Sequence, residues 1–285
     1  MTIQVFLIQA HQDIDQLNVL VEMLRDEAFV VYVNLDRKWA VDPARVHPYA
    51  CQVTRRVDVH WGSFSQVRAA LNALAQIEAE VPAFDKVTFL SAQDVPLLSN
   101  ARLKRALASL SGHELLDAVP IGTGPGQWAA AHRYQYFCAD EGPFARYLAC
   151  GLGNRVLRAV GRTRRLPGGM RPYGGSSWWS LSQACVRHVL ARIAREPELV
   201  RFFRYCACPD ELFFQTIVMN SPFARRVLGH NFRYVQWPRD GARSPAILVD
   251  ADFARIAASG AHFCRKLDSR VSAPLLSRLH VLRAV

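Results

Sequence analysis

The apolar positions fall into short, regularly punctuated blocks from the first residues onward. Residues 3–10, Ile3-Gln-Val-Phe-Leu-Ile-Gln-Ala10, form an apolar run rich in strand formers, which predicts a buried strand. Residues 14–25 carry Ile14, Leu17, Leu20, Val21 and Leu24 at helical spacing, and Phe29 to Leu35 predicts a second strand. Strand, helix and strand within 35 residues make a βαβ unit, with parallel pairing and a right-handed crossover. Val53 to Val59 predicts a short edge strand. A helix follows over about 66–80, with Ser63 or Ser65 as its cap, and a strand from Lys86 to Ser91. The strand ends at Asp36, Trp61 and Asp94 then face one crevice, where open α/β sheets bind ligands.

The second half is less regular. Its pattern predicts helices over 101–111 and 182–195 and a Gly/Pro-rich loop from Val119 to Trp128 that shapes a site. Six arginines between Arg155 and Arg171 surround Pro167-Gly-Gly169 and read as a basic loop, either solvated or in contact with an anionic acceptor or lipid headgroup. Gly174-Gly-Ser-Ser-Trp-Trp179 offers an aromatic platform for a sugar, although paired tryptophans also serve as core. Pro209-Asp210-Glu211 predicts the first turn of a buried helix, with both carboxylates near its positive end. Phe232 to Trp237 predicts a strand. Residues 246–249 predict another strand, or an extended lead into a helix that Asp250 caps, and residues 263–268 close the core ahead of a basic tail.

Composition narrows the function classes. The chain has 285 residues, 51% hydrophobic, enough for one large domain or two small ones with a substantial core. A net charge of +11 favours anionic partners such as a nucleotide, an acidic glycan or a lipid surface. No zinc-ligand spacing, basic zipper or RNA-binding signature is present, so nucleic acid is not an expected partner. Gly-x-Gly-x-x-Gly and the P-loop are absent too, which disfavours dinucleotide oxidoreductases and P-loop kinases. Seven scattered cysteines fit a reducing compartment. No apolar run of spanning length exists and the N-terminus lacks a charged signal-peptide start. A cytoplasmic protein follows, with peripheral membrane association through 155–171 or the basic tail.

Five motifs in order carry a resemblance. Trp61-Gly-x-Phe-Ser65, Leu90-Ser-x-Gln-Asp-x-Pro-Leu97, Gly175-Ser-x-Trp-Trp-x-Leu181, Pro209-Asp-Glu-x-Phe-Phe-Gln215 and Arg265-Lys-x-Asp268 together resemble the core-2/I-branching enzyme family. That family includes β-1,6-N-acetylglucosaminyltransferases and peptide O-xylosyltransferases. The resemblance implies an α/β GT-A fold, with a Rossmann-like mixed sheet flanked by helices. The whole chain would form one catalytic domain: a nucleotide-binding half over about 1–100, an acceptor and catalytic half over about 101–268, and a basic tail over 269–285. It also implies inversion at the anomeric carbon, a UDP-sugar donor (N-acetylglucosamine or xylose favoured), a glycan or lipid-linked acceptor, and no metal or other cofactor.

Residue by residue, the resemblance makes Glu211 the catalytic base. Lys266 would hold the diphosphate beside Arg265, and Arg243 would be the second basic residue. Asp36 and Trp61 would contact the nucleotide; Asp94, Trp178, Trp179 and Asp210 are candidate acceptor contacts. Asp36 alone reads equally as a loop cap. Lacking an anchor, a stem and an evident disulfide pattern, the chain looks like a bacterial relative at the inner face of the membrane, suited to making a surface polysaccharide. Two rivals differ from this reading. Asp250-Ala-Asp252 resembles a metal-binding Asp-x-Asp, and a non-catalytic glycan- or lipid-binding protein would keep its acids for structure.

Overall fold

The computed structural model describes residues 2–139, 141–238 and 244–284. The chain divides into two compact units. One joins Met1–Thr54, Ala83–Gly112 and Asn231–Val285; the other joins Arg55–Pro82 and His113–His230. The expected halves are therefore not consecutive, because each unit is completed by segments distant in sequence.

In the first unit the strands Cys51–Gln52, Phe29–Leu35, Gln4–Ala10 and Lys86–Ser91 lie side by side and parallel in that order. The helix Ile14–Met23 makes the expected crossover, with Asp13 at its cap accepting from the Gln16 N–H at 3.1 Å. Asp13 is left-handed at φ 56°, a conformation that a short polar side chain tolerates. Phe6 sets its ring edge-on to Phe29 at 4.9 Å and to Phe263 at 6.2 Å. A smaller sheet places Arg233–Val235 parallel to Phe263–Arg265, which pairs antiparallel with Val95–Pro96.

The small sheet rests on a buried ion pair. Arg233 Nε donates to Asp94 Oδ1 at 2.5 Å, both side chains being almost wholly buried. Asp94 Oδ2 accepts from the Ser91 N–H at 2.7 Å and from its hydroxyl at 2.6 Å, while Arg233 Nη2 donates to Phe89 O at 3.0 Å. Asp94, expected among the acceptor contacts, is instead an interior brace with both oxygens engaged.

Other expectations are corrected here as well. The edge strand shortens to Cys51–Gln52 plus one further bond, Val53 N–H to Val33 O at 2.9 Å, because residues beyond Thr54 belong to the other unit. Residues 246–249 form no strand but an extended lead, Leu248 N–H donating to Lys266 O at 2.8 Å. Asp252, not Asp250, supplies the cap: its Oδ2 accepts from the Val249 N–H at 2.8 Å ahead of the helix Phe253–Ala257. Asp250 pairs with Arg278 at 3.0 Å. The basic tail is mostly a helix, Ala273–Ala284. Its Leu275 and Leu279 are buried with Met23, Val95, Leu248 and Ile256. Arg283 donates to Met23 O and Leu98 O, both at 2.9 Å.

The second unit packs the helix Phe64–Glu80, capped by Ser63, with the helix Gln183–Arg195. The strand Trp179–Ser182 runs antiparallel to Leu115–Leu116, and Val119–Pro120 runs antiparallel to Tyr173–Gly174. Buried Glu114 accepts from the Ser182 N–H and hydroxyl, both at 2.7 Å. The segment expected as a mobile basic loop begins as the end of a helix, Phe144–Ala159.

Asp94→Ala is expected to leave Arg233 as a buried charge without its carboxylate and to cost about 3–5 kcal/mol. Urea unfolding of the variant against the wild type measures this directly.

Candidate functional site

The candidate functional residues form one cluster in each unit. In the first unit the cluster gathers where parallel strands end. Gln4–Ala10 delivers His11, Phe29–Leu35 delivers Asp36, and Phe263–Arg265 delivers Lys266. His11 lies within electrostatic reach of Lys266, Asp36, Lys38 and Arg265. Partial desolvation, then the Lys266 ammonium, hold the imidazole below its ordinary pKa; the Asp36 carboxylate opposes them. Asp36 is buried, accepts from the Lys38 N–H at 2.9 Å and stands 3.9 Å from the Lys38 ammonium. It caps the turn that follows the strand Phe29–Leu35.

Lys266 is positioned by the chain around it. Leu267 N–H donates to Gln93 O at 3.0 Å, and Gln16 Nε2 donates to Ala92 O at 3.1 Å and Leu267 O at 3.2 Å. Desolvation first, and the neighbouring Arg265 charge second, lower the Lys266 pKa. Burial lowers that of Arg265 to about 10. Burial thus disfavours the charge on both side chains, and for Arg265 the Asp94 carboxylate partly offsets it. Arg243 lies outside the described residues.

In the second unit the cluster is built on a sharp turn. Cys208 is left-handed at φ 45°, its N–H donating to Gly62 O at 2.8 Å. Pro209–Glu211 is a single 3-10 turn and the α-helix starts only at Phe213, so Glu211 precedes the helix instead of lying inside its first turn. Leu212 through Val218 are buried. Phe213 meets Phe64 at 5.8 Å, Phe203 at 5.2 Å and Phe214 at 5.2 Å, and Phe214 meets Trp179 at 4.7 Å. This aromatic wedge fixes the turn that carries Glu211. Trp179 is thus core and no sugar platform, whereas Trp178 is half-buried and Trp61 is exposed.

The Glu211 carboxylate pairs with Arg133 and both remain partly exposed. The Arg133 guanidinium lies over the Trp128 ring at 4.5 Å. The paired glycines now have a cause. A Cβ on Gly174 would sit 2.5 Å from the Trp128 ring, and one on Gly175 would sit 2.0 Å from Asp117 O. Gly175 N–H also donates to Glu211 O at 3.0 Å. Asp210 Oδ2 accepts from the Ser177 hydroxyl at 2.6 Å. Its Oδ1 is buried with no hydrogen-bond partner among the described residues, and burial pushes the pKa up to about 6.

Sequence reasoning named Glu211, Asp210, Lys266, Arg265 and Asp36, and the structure gathers them into these clusters. It missed His11, Lys38 and Arg133. Arg133 stands 78 residues before Glu211, a separation that no local pattern reveals. His11 and Lys38 were legible only as residues following strand ends.

This mixed α/β architecture, strands flanked by helices with a charged cluster at the strand ends, is consistent with a GT-A-like glycosyltransferase fold. The chain belongs to the Core-2/I-branching enzyme family, whose sequence model matches residues 5–256. It is similar to xylosyltransferase 2 of Canis lupus familiaris, 25% identical across 93% of this chain and 32% of the relative. The Homo sapiens xylosyltransferase 2 is 24% identical with the same coverage. Xylosyltransferase oxt of Drosophila pseudoobscura pseudoobscura is 23% identical across 79% of this chain and 25% of the relative. The chain thus spans a third or less of the length of these relatives.

The raised Asp210 pKa sets a stability trend. Between 3.8 and about 6 the folded protein holds a proton that the unfolded chain releases. Stability from this group is therefore complete at low pH and declines as pH rises through that window. Asp210→Asn is expected to flatten this decline, as measured by unfolding free energies at pH 4, 5, 6 and 7.

Proposed function

We propose that the protein is an inverting glycosyltransferase that moves a sugar from a UDP-sugar to an acceptor hydroxyl, with Glu211 as general base. The observation that carries this reading is Glu211 itself: a partly exposed carboxylate in the Pro-Asp-Glu turn, oriented by Arg133 and anchored by the aromatic wedge behind it. An acceptor hydroxyl attacks poorly at neutral pH unless a placed carboxylate takes its proton as the bond forms. A carboxylate has several lone-pair sites, so pairing with Arg133 leaves room for an incoming hydroxyl. N-acetylglucosamine and xylose are the favoured sugars, and a glycan or lipid-linked molecule is the favoured acceptor.

In this reading the donor's diphosphate meets Lys266 and Arg265, with Lys38 adding positive field, His11 standing beside them as a neutral imidazole and Asp36 holding part of the nucleotide. Preplaced cations stabilise the charge that grows on the departing UDP without reorganising. Asp250 and Asp252 are engaged with Arg278 and with the Val249 N–H. This favours the lysine cluster over the Asp-x-Asp reading as the partner of the leaving group. All seven cysteines are free thiols, which supports a reducing, cytoplasmic setting. Among the described residues no helix is long and apolar enough to cross a membrane.

Transfer to acceptor panels from UDP-N-acetylglucosamine, UDP-xylose, UDP-glucose and UDP-galactose tests the reaction. Glu211→Gln is expected to keep UDP affinity and lower turnover by about 10²–10⁴. Near-wild-type transfer by this variant would remove Glu211 from the mechanism.

Transfer is also expected to persist in excess EDTA, and Lys266→Ala to weaken UDP binding and slow transfer together, as calorimetry and turnover would show. Activity lost in EDTA, restored by Mn²⁺ and abolished in Asp252→Ala, would replace the lysine reading with the metal one.

A further inference from the structure

The helix Phe144–Ala159 buries little of itself. Its inward contacts are Cys150, Asn154 bonded to the Phe137 N–H and carbonyl at 2.7 and 2.8 Å, and Gly153, where a Cβ would approach the Phe137 ring to 3.2 Å. Away from that face a stripe runs the length of the helix at four-residue spacing: Phe144, Leu148, Leu152, Val156 and then Val160 beyond its end. These side chains are 75, 59, 63, 55 and 59% exposed, and no other surface of the described residues displays such a row. Isolated exposed leucines are ordinary; an aligned series is a contact surface.

The charge around the stripe says what it contacts. From Gly142 through Arg195 the chain has ten arginines, no lysine and no carboxylate. Arg164 is internal, donating to Tyr136 O, Tyr205 O and Phe202 O at 3.2, 2.7 and 2.6 Å. Arg155, Arg158, Arg162 and Arg165 are exposed at the carboxyl end of the stripe. A protein partner buried on this row would have to match it with carboxylates at fixed positions. A sheet of anionic headgroups over acyl chains matches apolar and cationic groups together, wherever each falls.

We propose that the helix Phe144–Ala159 is an interfacial anchor that lies in the plane of an anionic membrane, with Phe144, Leu148, Leu152 and Val156 entering the acyl boundary and the four exposed arginines meeting lipid phosphates. The inference goes beyond the proposed reaction and does not depend on its donor or acceptor. It joins the exposed arginines of the basic segment to the apolar face of a folded helix, and leaves out Arg164 and Arg283, which are engaged in interior bonds.

The test uses the full chain with extruded vesicles of phosphatidylcholine, alone or mixed with phosphatidylglycerol, and co-sedimentation as readout. Binding is expected to the mixed vesicles, to weaken as salt rises, and to be lost on neutral vesicles. The double variant Leu148→Ser/Leu152→Ser, at exposed positions, is expected to bind mixed vesicles on the order of tenfold less while keeping the wild-type melting temperature. Failure to bind anionic vesicles overturns the proposal. So does equal binding by the double variant, or a dimer in sedimentation velocity that the same two substitutions dissolve, which would make the stripe a contact between copies.

Discussion

The first unit depends on one buried ion pair. Asp94 and Arg233 are 139 residues apart, yet they meet at 2.5 Å in the interior. Neither charge is tolerable there alone, so each requires the other and the bonds that complete it. Ser91 occupies the second oxygen of Asp94, and Phe89 O takes the far end of Arg233. The pair thereby fixes the strand Arg233–Val235 to the end of Lys86–Ser91. Phe263–Arg265, paired to both Arg233–Val235 and Val95–Pro96, must follow, and Lys266 with it. The motif Leu90-Ser-x-Gln-Asp is thus the clamp for a different motif, Arg265-Lys-x-Asp268, since Gln93 O also receives the Leu267 N–H.

A comparable division holds in the second unit. Glu211 is partly exposed, while the residues immediately after it are buried. The aromatic wedge around Phe213 and Phe214 anchors the turn, and Arg133, itself lying over Trp128, sets the direction of the carboxylate. Gly174 and Gly175 are needed because a ring and a carbonyl occupy the space of their missing side chains. Each cluster is therefore a charged group standing on a rigid apolar or ion-paired base, which holds its side chains in place.

Basic residues serve three distinct ends in this chain. Arg233, Arg164 and Arg283 are internal struts; Lys266, Arg265 and Lys38 form a field at strand ends; Arg155, Arg158, Arg162 and Arg165 remain at the surface. A net charge of +11 counts them alike. Burial and partners separate them.

The sequence by itself determined the local elements whose apolar spacing is unambiguous. Gln4–Ala10, Ile14–Met23, Phe29–Leu35 and Lys86–Ser91 stand close to where their periodicity put them, and the five ordered motifs carried the family. Asp36 and Glu211 could be singled out as candidates from position, after a strand and at a turn, whereas Lys266 was singled out by the motif that carries the resemblance. Tertiary structure alone decided the rest. It made Asp94 a brace and Trp179 core, and it moved the cap from Asp250 to Asp252. It turned the basic tail into a packed helix and brought Arg133 to Glu211. Those outcomes turn on which distant group fills a buried valence or a cavity, and no window of neighbouring residues contains that information.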